Sequence, residues 1–448
     1  MTSHMKKICP IAILMLLTFH LMAQEKSQMN MQEAINYALA NSNVVKRAQL
    51  DISDAEQQII EQRAIGIPQL SAEASFQRYL QVPKQPLPDA FVQLIEALNP
   101  GSEVQREASF LLQNNFTAGL NLDAMIFDGS FFTGLQAAKA YKSYVRQNLA
   151  VEQRNVKNAV TDAYLPVLLL QENVELLDKN IANLEKLLHE TEELYKAGFA
   201  EQLDVDRQAL SLSNLKTERD NLLRQKESAI NALKLQMGFP MDEPLEVTDD
   251  LEEKSLAIAD EALTGSIDYY QRPEVNVLDQ SIRLNELNIR LNKSRYLPTL
   301  RAFGAYQQAY QGNNAEDGFW APTSFIGLRV NVPIFDGLQK KAQVERAKLD
   351  LEQIKTQKSD AVRSISLEVQ NARTAYLSAR EKLEDRQDNL ALAERIYETT
   401  QIKYREGVGS SLEVTQAEQS LYTSQSNYLQ ALYDLIVAKT NLEEALGR

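Results

Sequence analysis

Between residues 115 and 127 apolar and polar positions alternate, with Phe116, Ala118, Leu120, Leu122, Ala124 and Ile126 set against Asn115, Thr117, Gly119, Asn121 and Asp123. The stretch 323–334 alternates in the same way: Ser324, Ile326, Leu328, Val330, Val332 and Ile334 on one side, Gly327, Arg329 and Asn331 on the other. A period of two marks a strand with one apolar face. Weaker alternation over Leu70, Ala72, Ala74 and Phe76, and over Leu300, Ala302, Gly304 and Tyr306, predicts two partners. Strands are expected at about 68–79, 115–127, 298–308 and 323–334. Each is long enough to span a bilayer when tilted.

Nearly everything else carries the helical period. Residues 130–196 and 338–405 have almost no Gly or Pro, and apolar positions recur three and four apart among Glu, Lys, Gln, Leu and Ala. Each predicts a helix roughly 100 Å long at about 1.5 Å per residue. Pro166 is expected to kink the first of them. Shorter helices are expected at about 29–65, 201–237, 274–296 and 410–446, with a Pro-, Asp- and Glu-rich connector at 239–272.

The pattern is written twice. Residues Ala118–Gly129 align with Ile326–Gly337 at an offset of 208, both ending in Ile-Phe-Asp-Gly. "LYKAGFAEQLDV" from Leu194 faces "KYREGVGSSLEV" from Lys403 at 209, and the halves close alike, at Leu235–Gly238 and Glu444–Gly447. Upstream the offset is 230, so the first half carries 22 extra residues, within the Pro-rich "VPKQPLPDAFVQLIEALNPGSE". The expected order is a first repeat over 24–238, the connector, and a second repeat over 273–448.

Composition changes the picture mainly at the N-terminus. Lys6 and Lys7, the apolar run Ile8–Met22 and small Ala23 have the order of a cleaved secretory signal peptide over 1–23. Its removal takes Cys9, His4 and His20 with it, leaving no thiol and only His189, a residue of a polar helix surface. Cysteine nucleophiles, disulfides, Cys/His metal sites and cofactors held by such ligands lose their side chains; no catalytic, metal or cofactor site is expected. Net charge goes from −14 to −16, a poor match for nucleic acid.

Four membrane-length strands cannot close alone, because the smallest spanning barrels need about eight. Open edges in lipid would leave backbone groups unpaired at several kcal/mol each. Identical copies must complete the wall, and three copies give twelve strands. The Ile-Phe-Asp-Gly motif then becomes a corner between strand and helix. Phe127 and Phe335 suit the membrane interface, Asp128 and Asp336 can cap the helix N-termini, and Gly129 and Gly337 permit the change of direction.

Over essentially its whole mature length the chain resembles the TolC family of outer-membrane efflux proteins. The duplicated strand-Ile-Phe-Asp-Gly-helix corner, the paired Tyr-Lys-Ala-Gly-Phe and Tyr-Arg-Glu-Gly-Val turns and the terminal Ala-Leu-Gly carry the resemblance. It implies a mainly α protein with membrane β: an internally duplicated homotrimer whose twelve-stranded β-barrel continues into a periplasmic α-helical barrel. Asn121, Asp123, Arg329 and Asn331 would line the barrel lumen. The implied partners are outer-membrane lipid, a periplasmic membrane-fusion adaptor and an inner-membrane pump of the RND or ABC type. The adaptor would meet the helix tips at Ala197, Gly198, Phe199, Glu406, Gly407 and Val408. Asp204 and Glu413 match acidic positions near the family's periplasmic constriction. Gln416 replaces a second acidic position and Gly409 replaces an arginine, so the gate departs from the family pattern.

Two other classes make different demands. A periplasmic coiled-coil scaffold would need no bilayer-length alternating strands. An exported hydrolase would need convergent acid, base or metal groups, and the carboxylates here have no paired spacing.

Overall fold

A computed structural model describes residues 27–101, 105–109, 111–254, 260–313 and 317–448. The expected leader at 1–23 lies outside the described residues. In chain order the elements are β1 (Ser27–Met29), α1 (Met31–Asn41), α2 (Asn43–Ala64), β2 (Gln69–Arg78), β3 (Gln85–Pro86), α3 (Asp89–Leu98), β4 (Glu107–Ala108), β5 (Asn114–Phe127), α4 (Gly129–Lys196) and α5 (Gln202–Met237). They continue with β6 (Leu245–Val247), α6 (Leu251–Lys254), α7 (Asp260–Thr264), α8 (Pro273–Ser294), β7 (Thr299–Gly312), β8 (Phe319–Asn331), α9 (Gln339–Arg405) and α10 (Ser411–Ala445). The chain divides into two compact units.

One unit comprises Ile52–Val145 and Leu278–Gln357 and holds the sheet. Its four long strands lie in the order β2-β5-β7-β8, each antiparallel to its neighbour. The central pair joins β5 to β7, residues almost two hundred apart in sequence, with Leu120 opposite Tyr306 and Leu122 opposite Gly304. In this register Leu70, Leu122, Gly304 and Ile326 fall in one row across the sheet, while Gln69, Asp123, Phe303 and Gly327 fall in the next, on the opposite face. The apolar face is bare: Leu70, Leu328 and Val330 are exposed, and Ile326 is 92% exposed. Among the described residues both outer strands, β2 and β8, have a partner on one side only.

The last two strands do not keep their expected bounds. β7 extends to Gly312 and β8 begins at Phe319, because the hairpin ladder runs on through Ala309 opposite Ala321 and Tyr310 opposite Trp320. The Tyr310 and Trp320 rings, with centroids 5.4 Å apart, hold that extension. At the other end β8 stops at Asn331 instead of near 334, just short of Pro333, which has no N–H to give to a ladder.

The second unit comprises residues up to Asp51 together with Arg146–Val277 and Lys358–Arg448. Its core gathers Ala34, Ile35 and Ala38 of α1, Val160, Tyr164, Leu165 and Leu168 of α4, Leu233 and Met237 of α5, and Leu432 and Ile436 of α10. The short parallel pair β1-β6 joins this core, and the buried Tyr164 hydroxyl donates to the Met29 carbonyl at 3.1 Å. α4 continues through Pro166. The stretch expected as one helix over 29–65 is instead α1 and α2. Ser42 adopts extended backbone between them, closes α1 through its N–H to the Ala38 carbonyl, and opens α2 by accepting from the Val44 N–H.

The C-terminus of α10 is anchored by charge. Arg272, only 6% exposed, donates to both carboxylate oxygens of Glu368 and to the Ala445 carbonyl at 2.9 Å. Arg154 donates to the Glu444 carbonyl at 2.7 Å and pairs with Glu274. Two guanidinium groups thus supply donors that the last helical carbonyls lack.

Candidate functional site

The long helices end in two turns of the same construction. At the end of α4 the Phe199 N–H donates to the Leu194 carbonyl and the Gly198 N–H to the Tyr195 carbonyl; at the end of α9 Val408 donates to Lys403 and Gly407 to Tyr404. This paired bonding needs a left-handed residue at its centre, and Gly198 (φ 77°) and Gly407 (φ 73°) provide it. Ala197, Gly198, Phe199, Glu406, Gly407 and Val408 are all exposed, and Phe199 and Val408 have 82% and 78% of their surface free. Two apolar side chains therefore project from the turns into solvent.

Between the two turns lies an open groove of about 740 Å³, lined by Phe199, Asp204, Arg207, Tyr404 and Ser411 among others. Asp204 is turned into its own chain. Its carboxylate accepts from the Ser411 hydroxyl of α10, caps α5 by accepting from the Glu201 N–H at 3.1 Å, and lies 3.7 Å from the Arg207 guanidinium. Arg207 also reaches the Ser411 hydroxyl at 3.4 Å. Glu413 and Gln416, one and two turns into α10, are exposed. Gly409 folds back on the end of α9, where a Cβ would lie 3.1 Å from the Tyr404 backbone nitrogen. Arg207 was not among the residues expected at the constriction; its signal was its place three residues after Asp204, on the same side of the helix.

Behind this groove the helices bury polar groups. Leu184 and Leu187 of α4 pack on Val414 of α10, with Tyr397 and Tyr404 against them. Glu418, 2% exposed, accepts from the Tyr422 hydroxyl at 2.7 Å, and burial pushes its carboxyl above the ordinary range. Burial and the nearby Glu418 push the Tyr397 phenol up to about 12.

The two corners solve one problem differently. Asp128 directly precedes α4 and accepts from the Ser130 N–H at 2.8 Å. Asp336 lies three residues before α9 and accepts from the Lys340 N–H at 3.0 Å. Gly337 turns with φ 65°, and Leu338 follows in the same left-handed region, whereas Gly129 is already the first residue of α4 and is packed against Leu297. Gly129 serves close approach, not the reversal expected of it. Phe335 is exposed and Phe127 packs near Phe132.

On the polar face of the sheet Asn121, Asp123, Arg329 and Asn331 share one side. The structure adds Arg301, whose guanidinium is 2.9 Å from the Asp123 carboxylate, and Phe303, whose ring lies 5.0 Å from the Arg329 guanidinium.

These features, a bare apolar sheet face, paired helix tips and an internal clasp at the groove, coincide with the reach of one family signature. The pattern of the outer membrane efflux proteins matches residues 34–238 and 270–448. The chain belongs to that family. The pyoverdine export outer membrane protein OpmQ of Pseudomonas aeruginosa is 23% identical over 75% of this chain and 70% of its own length. The outer membrane protein TolC of Vibrio cholerae is 23% identical over 78% of this chain and 80% of its own. Among solved structures, a CusC structure concerned with folding and transmembrane channel formation superposes with a TM-score of 0.71 at 19% identity, covering 96% of this chain and 93% of that one. The fold is that of outer-membrane efflux channels, and the family is one of channels, not enzymes.

Proposed function

We propose that the protein is the outer-membrane exit duct of a tripartite efflux or type I secretion system. It passively conducts substrates from an inner-membrane RND or ABC pump across the periplasm and outer membrane. In this reading residues 1–23 are a cleaved export signal, 24–238 and 273–448 are structural repeats, and 239–272 connects them. Three copies form a twelve-stranded barrel continuous with a periplasmic barrel of helices.

One observation carries the reading. Among the described residues the sheet has a continuous apolar face with no cover and two open edges, β2 and β8, that run antiparallel to each other. The β8 edge of one copy can therefore take the β2 edge of the next without reversing the alternation of strand directions, and a ring of copies leaves no edge. Lipid would cover the face that water penalises.

Exposed Phe199 and Val408 suit docking of an adaptor's helical hairpins, as does the small or turned backbone around them. Asp204, Arg207 and Ser411 form a clasp between the first helix pair and α10, while Glu413 and Gln416 face the passage.

The test is conductance. Purified mature protein added to a planar bilayer should give discrete channels and should require detergent to remain dispersed. A monomer that stays soluble without detergent and opens no channels would leave the coiled-coil scaffold as the better reading.

A further inference from the structure

Arg301 and Arg329 are direct cross-strand partners on the polar face of the sheet, two residues from the start of β7 and two from the end of β8. Like charges placed opposite each other weaken a sheet. The chain neutralises only one of them. Asp123 pairs with Arg301 at 2.9 Å, while among the described residues no carboxylate pairs with Arg329. Its guanidinium instead rests over the Phe303 ring at 5.0 Å. Phe303 is itself fixed, lying across Gly327, where a Cβ would meet the ring at 2.6 Å, and edge-on to Phe325 at 6.1 Å. The next acidic side chain on this face, Glu73, is paired in register with Gly119, two rows beyond Asp123. Each row is about 7 Å at roughly 3.3 Å per residue, so within one chain Glu73 lies beyond a Debye length from the arginines at physiological salt.

From this juxtaposition we propose that Arg329, backed by Arg301, is an anion-binding belt inside the barrel, at the end joined to the helices. Its ligands are cargo groups bearing carboxylate or phosphate. The inference rests on the duct reading above, since only a closed barrel brings several copies of this row around one passage. A guanidinium on an aromatic ring is weakly hydrated and pre-oriented, and its planar fork matches a two-oxygen anion. Rings of Arg select for anions where a ring of carboxylates would select for cations. In a chain of net charge −14 such a belt is a local reversal of sign.

The experiment uses the mature protein in planar bilayers under a KCl gradient, with citrate as the anion probe. Arg329→Gln and the double variant Arg301→Gln/Arg329→Gln are compared with wild type, and Thr323→Gln on the same face serves as control. The reversal potential should move in the cation direction for both arginine variants and not for the control. Half-block by citrate should need about fivefold more citrate at low salt, the effect of one unit charge at about 4 Å in water. The difference should shrink at 1 M salt, where screening reaches about 3 Å. Channels that conduct normally with unchanged reversal potential and citrate block would overturn the belt while leaving the duct intact. Absence of any channel from wild-type protein would instead overturn the duct reading on which the belt depends.

Discussion

Asp204 shows how one side chain can serve two structures. It caps α5 from within and ties α5 to α10 through the Ser411 hydroxyl, with Arg207 alongside. Asp204→Ala removes the acceptor of both bonds and leaves a half-buried guanidinium without its carboxylate. We expect the tip helices to open more easily by about 1–2 kcal/mol. Amide exchange over 200–215 and 408–420 should then rise about five- to thirtyfold, and a resting channel should conduct more; unchanged exchange would mean that the clasp carries no tension. Glu444 offers a separate test through pH. Burial first, and then Asp162, push its carboxyl up to about 6 from an ordinary 4.5, against the pull of Arg154 and Lys157. The folded state therefore holds the proton more tightly than the unfolded chain, and the carboxylate is the disfavoured form. Its penalty is present above about pH 6 and gone below about pH 4.5. Glu444→Gln should accordingly melt higher than wild type at pH 7.5 and coincide with it at pH 4.5; a lower melting point at pH 7.5 would show that the charge is favourable where it lies.

Elements carry the next level of information, and here the sequence was legible in proportion to how local the cause was. Alternation from Phe116 to Ile126 needs no distant partner, so β5 could be placed from its own residues. The start of β8 depends on Trp320 meeting Tyr310 across the ladder, and the split at Ser42 depends on hydrogen bonds that a helical pattern does not announce. The same holds for the site: Gly198 and Gly407 announce their turns locally, but Asp204 and Ser411 are 207 residues apart, and Arg301 and Asp123 are 178 apart. Only register brings them together. The two faces of β8 make contrasting predictions. Ile326→Arg places a charge on the bare apolar face, where it should cost about 2–4 kcal/mol in a bilayer. Thr323→Arg, on the other face, should insert normally. Heat-modifiable mobility of the two variants in outer-membrane fractions separates these outcomes, and equal insertion would deny that the apolar face meets lipid.

At the scale of the whole molecule the decisive property is that, among the described residues, the sheet does not close within one chain. An open sheet with two free edges has three ways to end: it can aggregate edge to edge, stay covered by another element, or close by symmetry. Among the described residues no element hydrogen-bonds the outer side of β2 or β8, so covering is not what the fold provides. Two copies would give eight strands and three would give twelve, and both can span a membrane. Chemistry can count them, because the sequence has one cysteine, Cys9, and in the duct reading it leaves with the export signal. Cysteines introduced singly along β2 or β8 should give no ladder on oxidation. A pair, one at Ala72 or Ala74 and one scanned over Ser324, Ile326 and Leu328, should join each copy to the next. For a closed trimer the products on a denaturing gel stop at three chains, because the third disulfide seals the ring and leaves no free edge. A ladder running past three would mean an open polymer, and a product ending at two would mean an eight-stranded barrel whose lumen is narrower than an exit duct requires.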